Sequence, residues 1–567
     1  MKVIIFCCVI FTCLPLLGQY TYDWSVSFGG NAWDQGRAIT TDSLENIYTV
    51  GYFEGTADLD PGPAVQNFTS TSSQALFIQK FDPSGILLWA KAVTGGQIHG
   101  NSIDVDNDGN VVIVGHYGNT LDFDPGPSTY NLTSINSWDI FVLKLNNSGD
   151  FIWAKSIGGD WGEDRCFDLQ LDGAGNVYFV GQFYGTADFD PGPSVYTLAG
   201  ANGFWDSYIV KLDTNGDFLW AKNFGSSPYD SQATAICLDQ ANGVFIAGVY
   251  ENTADFDPGA AVYSSTSNGA HDIYLVKLDT SGNFLWARTT GSTPDEKCFD
   301  MDIDANGSVC LTGQFIGTVD FDPGTGTQNL TAVDGAFDGD VFIQKIDNNG
   351  NFVWAKSFGS TSYDQGNAVS FTNEGNVVTT GQYYYVADFD PGPGVVSISG
   401  EGEMDIFISV LDSNGNYLWA ENIGGADYEY SYGLTVSKQN AMIITGMYEQ
   451  TVDFDPGPGT DTQTATSVGF GDAFIVKLNA SSIGLDESQK GINMSVYPNP
   501  SSGKFLIQCD GTNNLMFSVY DCYGKTICYS KQVSTPYVID LSMMDNGTYY
   551  CRLEINGEIK HLRLVRQ

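Results

Sequence analysis

Positive charge is what this chain has least of. Its 567 residues hold 24 Lys plus Arg against 67 Asp plus Glu, a formal net charge of −43. A surface of that sign repels phosphate backbones and anionic lipid, which argues against nucleic acid as a partner and would draw in cations. Histidine is scarcer still, with His99, His116, His271 and His561 in all. In the repeat described below, the first three are expected in three different units, and His561 lies outside it. No Gly-x-Ser-x-Gly elbow, zinc-ligand spacing or phosphate loop rises above background. No segment sustains a 3.6-residue apolar period, so helices are not expected. Past the first eighteen residues no apolar run is long enough to span a bilayer.

That first segment, 1–18, carries Lys2, an apolar run from Val3 to Leu17 and a small residue at Gly18. It reads as a signal peptide cleaved near Gly18–Gln19. Cys7, Cys8 and Cys13 leave with it. Of the eight cysteines that remain, Cys298 with Cys310 and Cys522 with Cys528 have hairpin spacing for disulfides, against the plainer reading of packing thiols.

The chain is rich in glycine (66) and in aromatics (13%), which suits many short strands joined by tight turns. The core Asp-x-Asp-Pro-Gly occurs seven times, with aspartate pairs Asp58/Asp60, Asp122/Asp124, Asp188/Asp190, Asp255/Asp257, Asp320/Asp322, Asp388/Asp390 and Asp453/Asp455. Successive first aspartates are 64, 66, 67, 65, 68 and 65 residues apart. A period of that size defines one repetitive domain, expected over 19–479.

Each unit holds four apolar or β-branched runs separated by Gly, Asn and Asp, hence four strands. Turns such as Asp172 to Asn176 and Asp213 to Asp217 separate strands one and two, and three and four. Asp104 to Gly109 begins like a calcium EF-hand loop, but Gly115 replaces the terminal Glu and the flanks are strands, so a hairpin turn is expected there. Trp24, Trp89, Trp153, Trp220, Trp286, Trp354 and Trp419 mark the fourth strand of each unit and are expected to pack between neighbours. Trp33, Trp138, Trp161 and Trp205 lie in loops and are better candidates for ligand contact.

The phase of the array predicts closure. Tyr22 to Gly29 is a fourth strand without three before it, and Asp472 to Leu478 is a third strand with no Trp strand after it. If the two pair, no long edge is left open. The expected fold is therefore all-β: a seven-bladed β-propeller of four-stranded blades closed by an N-terminal strand. Units joining Gly-Gln-Phe, Gly-Thr-Ala-Asp-Phe and a Trp-Ala-Lys strand resemble the propeller repeats of bacterial secreted proteins, over roughly Tyr22 to Leu478. Propellers host many activities, so this resemblance implies fold and little else.

Topology puts the Asp-x-Asp-Pro-Gly loops and the blade-to-blade loops, with Asp34, Asp164, Asp230 and Asp364, on one long, acidic face. Each aspartate pair suits Ca²⁺ as hard oxygen ligands, but seven near-identical copies favour the plainer reading, an Asx-type turn with Pro and Gly fixing φ. No other cofactor is indicated.

A polar stretch, 480–492, reads as a linker. Beyond it, 493–567 carries Tyr497, Pro498, Asn499, Pro500, Gly503, Gly524, Lys525, Gly547 and Tyr549 in an order that resembles the type A C-terminal sorting domain of the Bacteroidetes type IX secretion system. The resemblance implies a small β-sandwich that partners the secretion machinery, and a protein exported through the periplasm to the outer surface or released. Taken together, the expected protein is a monomeric, non-catalytic binding or adhesion module for a glycan or protein surface. The alternative is a secreted polysaccharide-processing enzyme, which a cluster of unique polar residues around the central channel would favour.

Overall fold

The structure, a computed structural model, describes residues 20–71, 73–159, 162–200, 203–226, 229–333 and 338–480. In the C-terminal unit it describes 494–497, 501–509, 515–520, 526–533, 537–544, 547–555 and 558–566. The expected signal segment, all but Ala480 of the expected linker, Trp161, Cys522, Pro498 to Pro500, Gly524 and Lys525 lie outside the described residues.

Among the described residues there is strand and no helix. Residues Tyr20–Ala480 form one compact unit. In its third repeat Arg165–Leu171, Val177–Tyr184, Trp205–Leu212 and Phe218–Ser226 pair in sequence order, all antiparallel. The turn Asp213 to Asp217 joins the last two strands because Asp213 Oδ1 accepts the amides of Asn215 and Asp217, while Gly216 takes φ +76°. The other six repeats form the same four-stranded meander, and the strand Tyr20–Gly30 serves as the outer strand of the last, beside Gly471–Ala480. Ser25 Oγ donates to Asp461 at 2.6 Å, and Tyr22 hydroxyl reaches the same carboxylate, so side chains as well as backbone fasten that strand.

The middle strands are buried along their whole length on both faces, as in Ala75–Phe81 and Val309–Phe315. Each sheet therefore needs apolar cover on two sides, and the cores lie between consecutive sheets. Tyr48, Val50 and Leu76 of the first meet Val111, Ile113 and Phe141 of the second. The series continues to the join of last and first, where Ala473 and Ile475 share a core with Ile47, Phe53 and Phe77. Cys298 belongs to the core between the fourth and fifth sheets and Cys310 to the next, so they point away from each other. Both are free thiols, which corrects the expected alternative of a Cys298–Cys310 disulfide.

The outer-strand tryptophans lie between neighbouring repeats. Trp24, Trp89, Trp153 and Trp354 each donate Nε1–H to a carbonyl in the second turn of the following repeat. A glycine in that turn admits the ring: a Cβ on Gly85 would come within 2.9 Å of Trp24. Trp354 and Trp419 are buried, and the other five are half-buried.

The C-terminal unit has two antiparallel sheets sharing one core, Phe505, Ile507 and Ile539 from one with Phe517, Val519, Tyr549, Cys551 and Leu564 from the other.

Candidate functional site at the rim of the central cavity

The Asp-x-Asp-Pro-Gly motifs lie between second and third strands, each opening a short hairpin such as Thr186–Asp188 with Thr197–Ala199. Asp188 Oδ1 accepts the amides of Asp190 (3.1 Å) and Tyr196 (2.8 Å). The first aspartates of the other motifs, Asp58, Asp122, Asp255, Asp320, Asp388 and Asp453, accept the same two amides. The second aspartates act on the motif glycine. Oδ1 of Asp60, Asp124, Asp190, Asp257, Asp322, Asp390 and Asp455 each accepts that glycine's amide at 2.8 Å.

These are Asx-type turns, in which Asp188 also pairs with Gly158 on the preceding repeat's outer strand. The loops thus tie one repeat to the next. Among the described residues no group of three or more His, Cys, Asp or Glu is placed to hold a metal ion. All seven pairs, Asp60, Asp124, Asp257, Asp322, Asp390 and Asp455 included, form turns of this kind. The first aspartate's Oδ1 takes the amides two and eight residues on and the second's takes the amide two residues on, so the two carboxylates serve separate turns. Asp106 Oδ1 likewise closes a hairpin turn, onto Asp108 and Asn110.

The blade-to-blade acids do not form the expected acidic surface. Asp34, Asp164 and Asp364 are buried at the start of the inner strands, where each carboxylate accepts amides from the loop before it and the second strand beside it. The amides of Gly30, Gly159 and Ser360 donate to those carboxylates, and this local demand outweighs exposure. Asp230 is half-buried and accepts the amide of Trp205.

A cavity of about 270 Å³ is lined by all seven inner strands, at Arg37, Asn101, Phe167, Thr234, Phe299, Asn367 and Tyr432 among others. Asp104, Asp168, Asp300 and Asp302 also line it. Enclosure pushes Asp104 and Asp168 up to about 6 and Asp300 up to about 8, opposed by amide donors. Those donors come in part from the neighbouring sheet: Asp168 Oδ2 accepts from Ile236, Asp104 from Leu171, Asp300 from Val369 and Asp302 from Phe371. The cavity acids join inner strands that are not otherwise paired.

The departure from repeat symmetry is concentrated at the rim where the long loops meet. His99 and His116 are cross-strand partners in one sheet, with rings stacked 5.0 Å apart at 11°. The expectation of separate units is thus corrected. Both are eight residues from the turn at Asn107–Asp108, so counting outward from the hairpin would have paired them. Trp138 meets both imidazoles edge-on, at 5.1 and 4.9 Å, and Tyr52 meets His99 at 5.2 Å. Asn101 Nδ2 lies 3.3 Å from His116 Nδ1 and donates to the Cys166 carbonyl at 2.7 Å. Burial first, then Arg37 and Arg165, lowers His99 to about 4; burial, His99 and the same arginines hold His116 well below its ordinary value. Both imidazoles are neutral at pH 7.

The aromatic run extends to either side. Arg37 lies over the Tyr432 ring at 4.4 Å, and Tyr432, Tyr430 and Tyr428 stack successively at 5.9 and 6.5 Å. In the other direction Arg165 pairs with Glu163, whose carbonyl accepts from Trp205 Nε1, and Trp205 meets Tyr184 at 5.7 Å. Most of these rings are half-buried, each keeping part of its surface in solvent. Of the loop tryptophans, Trp138 and Trp205 join this arc, while Trp33 packs on Phe470. The arrangement offers flat apolar faces beside fixed polar groups, which is the chemistry of stacking on a sugar ring or a peptide.

In the C-terminal unit Tyr497 is in strand Met494–Tyr497, Gly503 takes φ +122° with its carbonyl accepting from Leu541, Gly547 opens a strand, and Tyr549 is buried in the core.

Residues 495–566 match the family described as a secretion system C-terminal sorting domain. This marks the chain as cargo of a type IX secretion system of Bacteroidetes, exported to the cell surface or secreted. An uncharacterized WD repeat-containing protein of Acanthamoeba polyphaga mimivirus is 22% identical over 513 residues, 75% of this chain and 36% of the relative. The regulatory protein FlaEY of Caulobacter vibrioides is 23% identical over 387 residues, 64% of this chain and 37% of that one. The chain thus spans little over a third of either relative. PorZ, a surface component of the type IX secretion system of Porphyromonas gingivalis, aligns over 96% of this chain and 100% of its own at 11% identity, with a TM-score of 0.19. A superposition that loose carries no argument. The described fold is all-β, repetitive and propeller-like.

Proposed function

We propose that the exported chain is a closed seven-bladed β-propeller acting as a non-catalytic binding module, with a glycan held on the aromatic rim of its central cavity. Seven four-stranded sheets, with an apolar core at the join of last and first, support the blade count. The observation that carries the binding reading is the arc through Tyr432, Arg37, Tyr52, His99, His116 and Trp138, drawn from the last, first and second repeats and extended into the third by Trp205. Aromatic faces beside amide and guanidinium donors suit the apolar faces and hydroxyls of sugars.

The same cluster of unique residues around the cavity is what an enzyme of polysaccharide breakdown would also need. Its chemistry favours binding. Neutral imidazoles stacked on each other, with an asparagine amide at His116 Nδ1, are poorly placed for general acid–base work near pH 7.

Glycan-array binding by the mature protein tests the reading. Trp138→Ala is expected to weaken binding about tenfold, from a stacking contribution of about 1.4 kcal/mol. A flat array with turnover on a polysaccharide panel would replace this reading with the enzymatic one.

A further inference from the structure

Four seams between repeats each bring two buried carboxyl groups together. Asp34 opens the first inner strand and faces Asp472 of the last sheet; Asp164 faces Asp139, Glu296 faces Asp272, and Glu429 faces Asp405. In each pair one acid lies at the start of an inner strand and the other in the third strand of the preceding repeat. A glycine at the outer strand's end lies against at least one acid of each pair, Gly158 against Asp139, Gly291 against Asp272 and Gly424 against Asp405. A Cβ on Gly29 would sit 2.6 Å from Asp34 Oδ2 and 2.9 Å from Asp472 Oδ1, so both carboxyls converge over that one residue.

Asp34, Asp164 and Glu296 accept at both oxygens, from amides or the Ser292 hydroxyl, whereas Glu429, Asp472 and Asp272 each have one oxygen well used. Asp34 Oδ2 accepts from Gly30, Glu429 Oε2 from Gly425, Asp472 Oδ2 from Thr466 and Asp272 Oδ2 from Asn268. In three of the seams an oxygen is left over: Asp472 Oδ1, Asp272 Oδ1 and Glu429 Oε1 are buried and meet no donor. Those three residues are 2%, 1% and 0% exposed. A buried carboxylate oxygen without a donor, facing a second carboxylate, is costly unless something positive comes between them.

The charged surroundings supply little. Glu54 faces the Asp34 pair, Asp295 the Glu296 pair, and Asp427, Glu449 and Glu401 the Glu429 pair, all of like sign. Among the groups acting on these acids His271, beside Asp272 and Asp295, is the one that can carry positive charge. The remaining seams are informative. Between the first and second repeats the equivalent positions are Ala75 and Ile98, both apolar and buried. There the two acids are missing together. Between the third and fourth repeats the Ser231 hydroxyl converges with Asp206 over Gly225 instead, and between the fifth and sixth Asp364 and Asp340 are a further pair of buried acids at the same positions.

We propose that each of these four seams is closed by one proton held between its two carboxyl groups, so that the junctions between repeats are proton-linked. In three of the seams the proton lies between the otherwise idle oxygen, on Asp472, Asp272 or Glu429, and the facing carboxyl of the pair. Burial, then the neighbouring carboxylate, supports this by raising Asp164 to about 7, Asp34 and Glu296 to about 8 and Glu429 to about 9. The folded chain therefore holds protons that the unfolded chain has released above about pH 4. Stability from the pairs is complete below that value and is lost as pH rises through 7 to 9.

Infrared spectroscopy and chemical unfolding of the mature protein test this. A carbonyl stretch of protonated carboxylic acid should persist at pH 7 and fade towards pH 9. The unfolding equilibrium constant should rise about tenfold per pH unit for each seam that titrates. Glu429→Gln supplies a permanent donor in place of the proton, and should remove one seam's share of that slope. Glu429→Ile with Asp405→Ala copies the apolar seam and should do the same. Absence of the protonated band at pH 7 together with pH-independent unfolding would overturn the proposal. Stabilisation by Ca²⁺ that is lost in both variants would overturn it too, in favour of a cation between the carboxylates.

Discussion

Lys277 Nζ lies 3.0 Å from Asp239 Oδ2 and 4.4 Å from the centre of the Phe245 ring, an ion pair buried inside the fourth repeat. Burial opposes charge on Asp239, but the hydrogen bond from Lys277 and the amides of Gly243 and Ala241 prevail and hold its carboxyl below the ordinary range. The lysine also reaches Asn348 of the next repeat, joining two turns across a seam. Lys144 with Asp106 and Lys345 with Asp304 repeat the pairing at 2.9 and 3.0 Å. In the sixth repeat Thr372 and Val410 stand in the two positions, so both charges are gone together.

Breaking the pair from one side strands a buried charge. Lys277→Met is expected to cost about 3 kcal/mol, because Asp239 keeps its burial and loses its cation. The double change Lys277→Val with Asp239→Thr, which copies the sixth repeat, should cost much less. A double-mutant cycle by chemical unfolding measures the difference.

Removing Tyr20–Gly30 should do more than shorten the chain. The strand Gly471–Ala480 would lose its partner and become an open edge with apolar cover missing. Association in size-exclusion chromatography and a broadened, lower melt are the expected results. Asp461→Ala, which removes the acceptor of Tyr22 and Ser25, should produce a milder shift of the same kind.

Asp188→Ala leaves the amides of Asp190 and Tyr196 without their acceptor and should cost about 1–2 kcal/mol. Asp188→Asn keeps a carbonyl oxygen in that place and should cost less than half as much. Calorimetric titration of Ca²⁺ into chelator-treated protein completes the test. Heat that disappears in both variants would make the turn a cation site as well.

Thiol labelling checks the packing of the cores. Cys166, Cys237, Cys298 and Cys310 are buried, and burial raises each thiol well above its usual value. All four should resist maleimide in the native protein and react after unfolding, read by peptide mass. Reaction of Cys298 under native conditions would contradict the core between the fourth and fifth sheets.

Local chemistry made much of the architecture legible. Asp, Gly and Asn at fixed offsets specify turns by their own hydrogen bonds and φ preferences, so the strands of each repeat follow from neighbours in the chain. The missing strands at the two ends pointed to the pairing of Tyr20–Gly30 with Gly471–Ala480 for the same reason: a period is visible without knowing any contact. Residue types alone could not say where the acids go. Asp34 and Asp164 look like surface loop charges, and only the packed seams show them buried as acceptors of idle amides. Nor does one repeat's sequence reveal which inner-strand residues meet across the cavity. His99 and His116 could have been paired by counting from their turn, but Arg37, Tyr432, Tyr52 and Trp138 come from three different sheets. Contacts between sheets depend on how the repeats pack, and that is decided by the tertiary structure, where apolar faces must be covered on both sides.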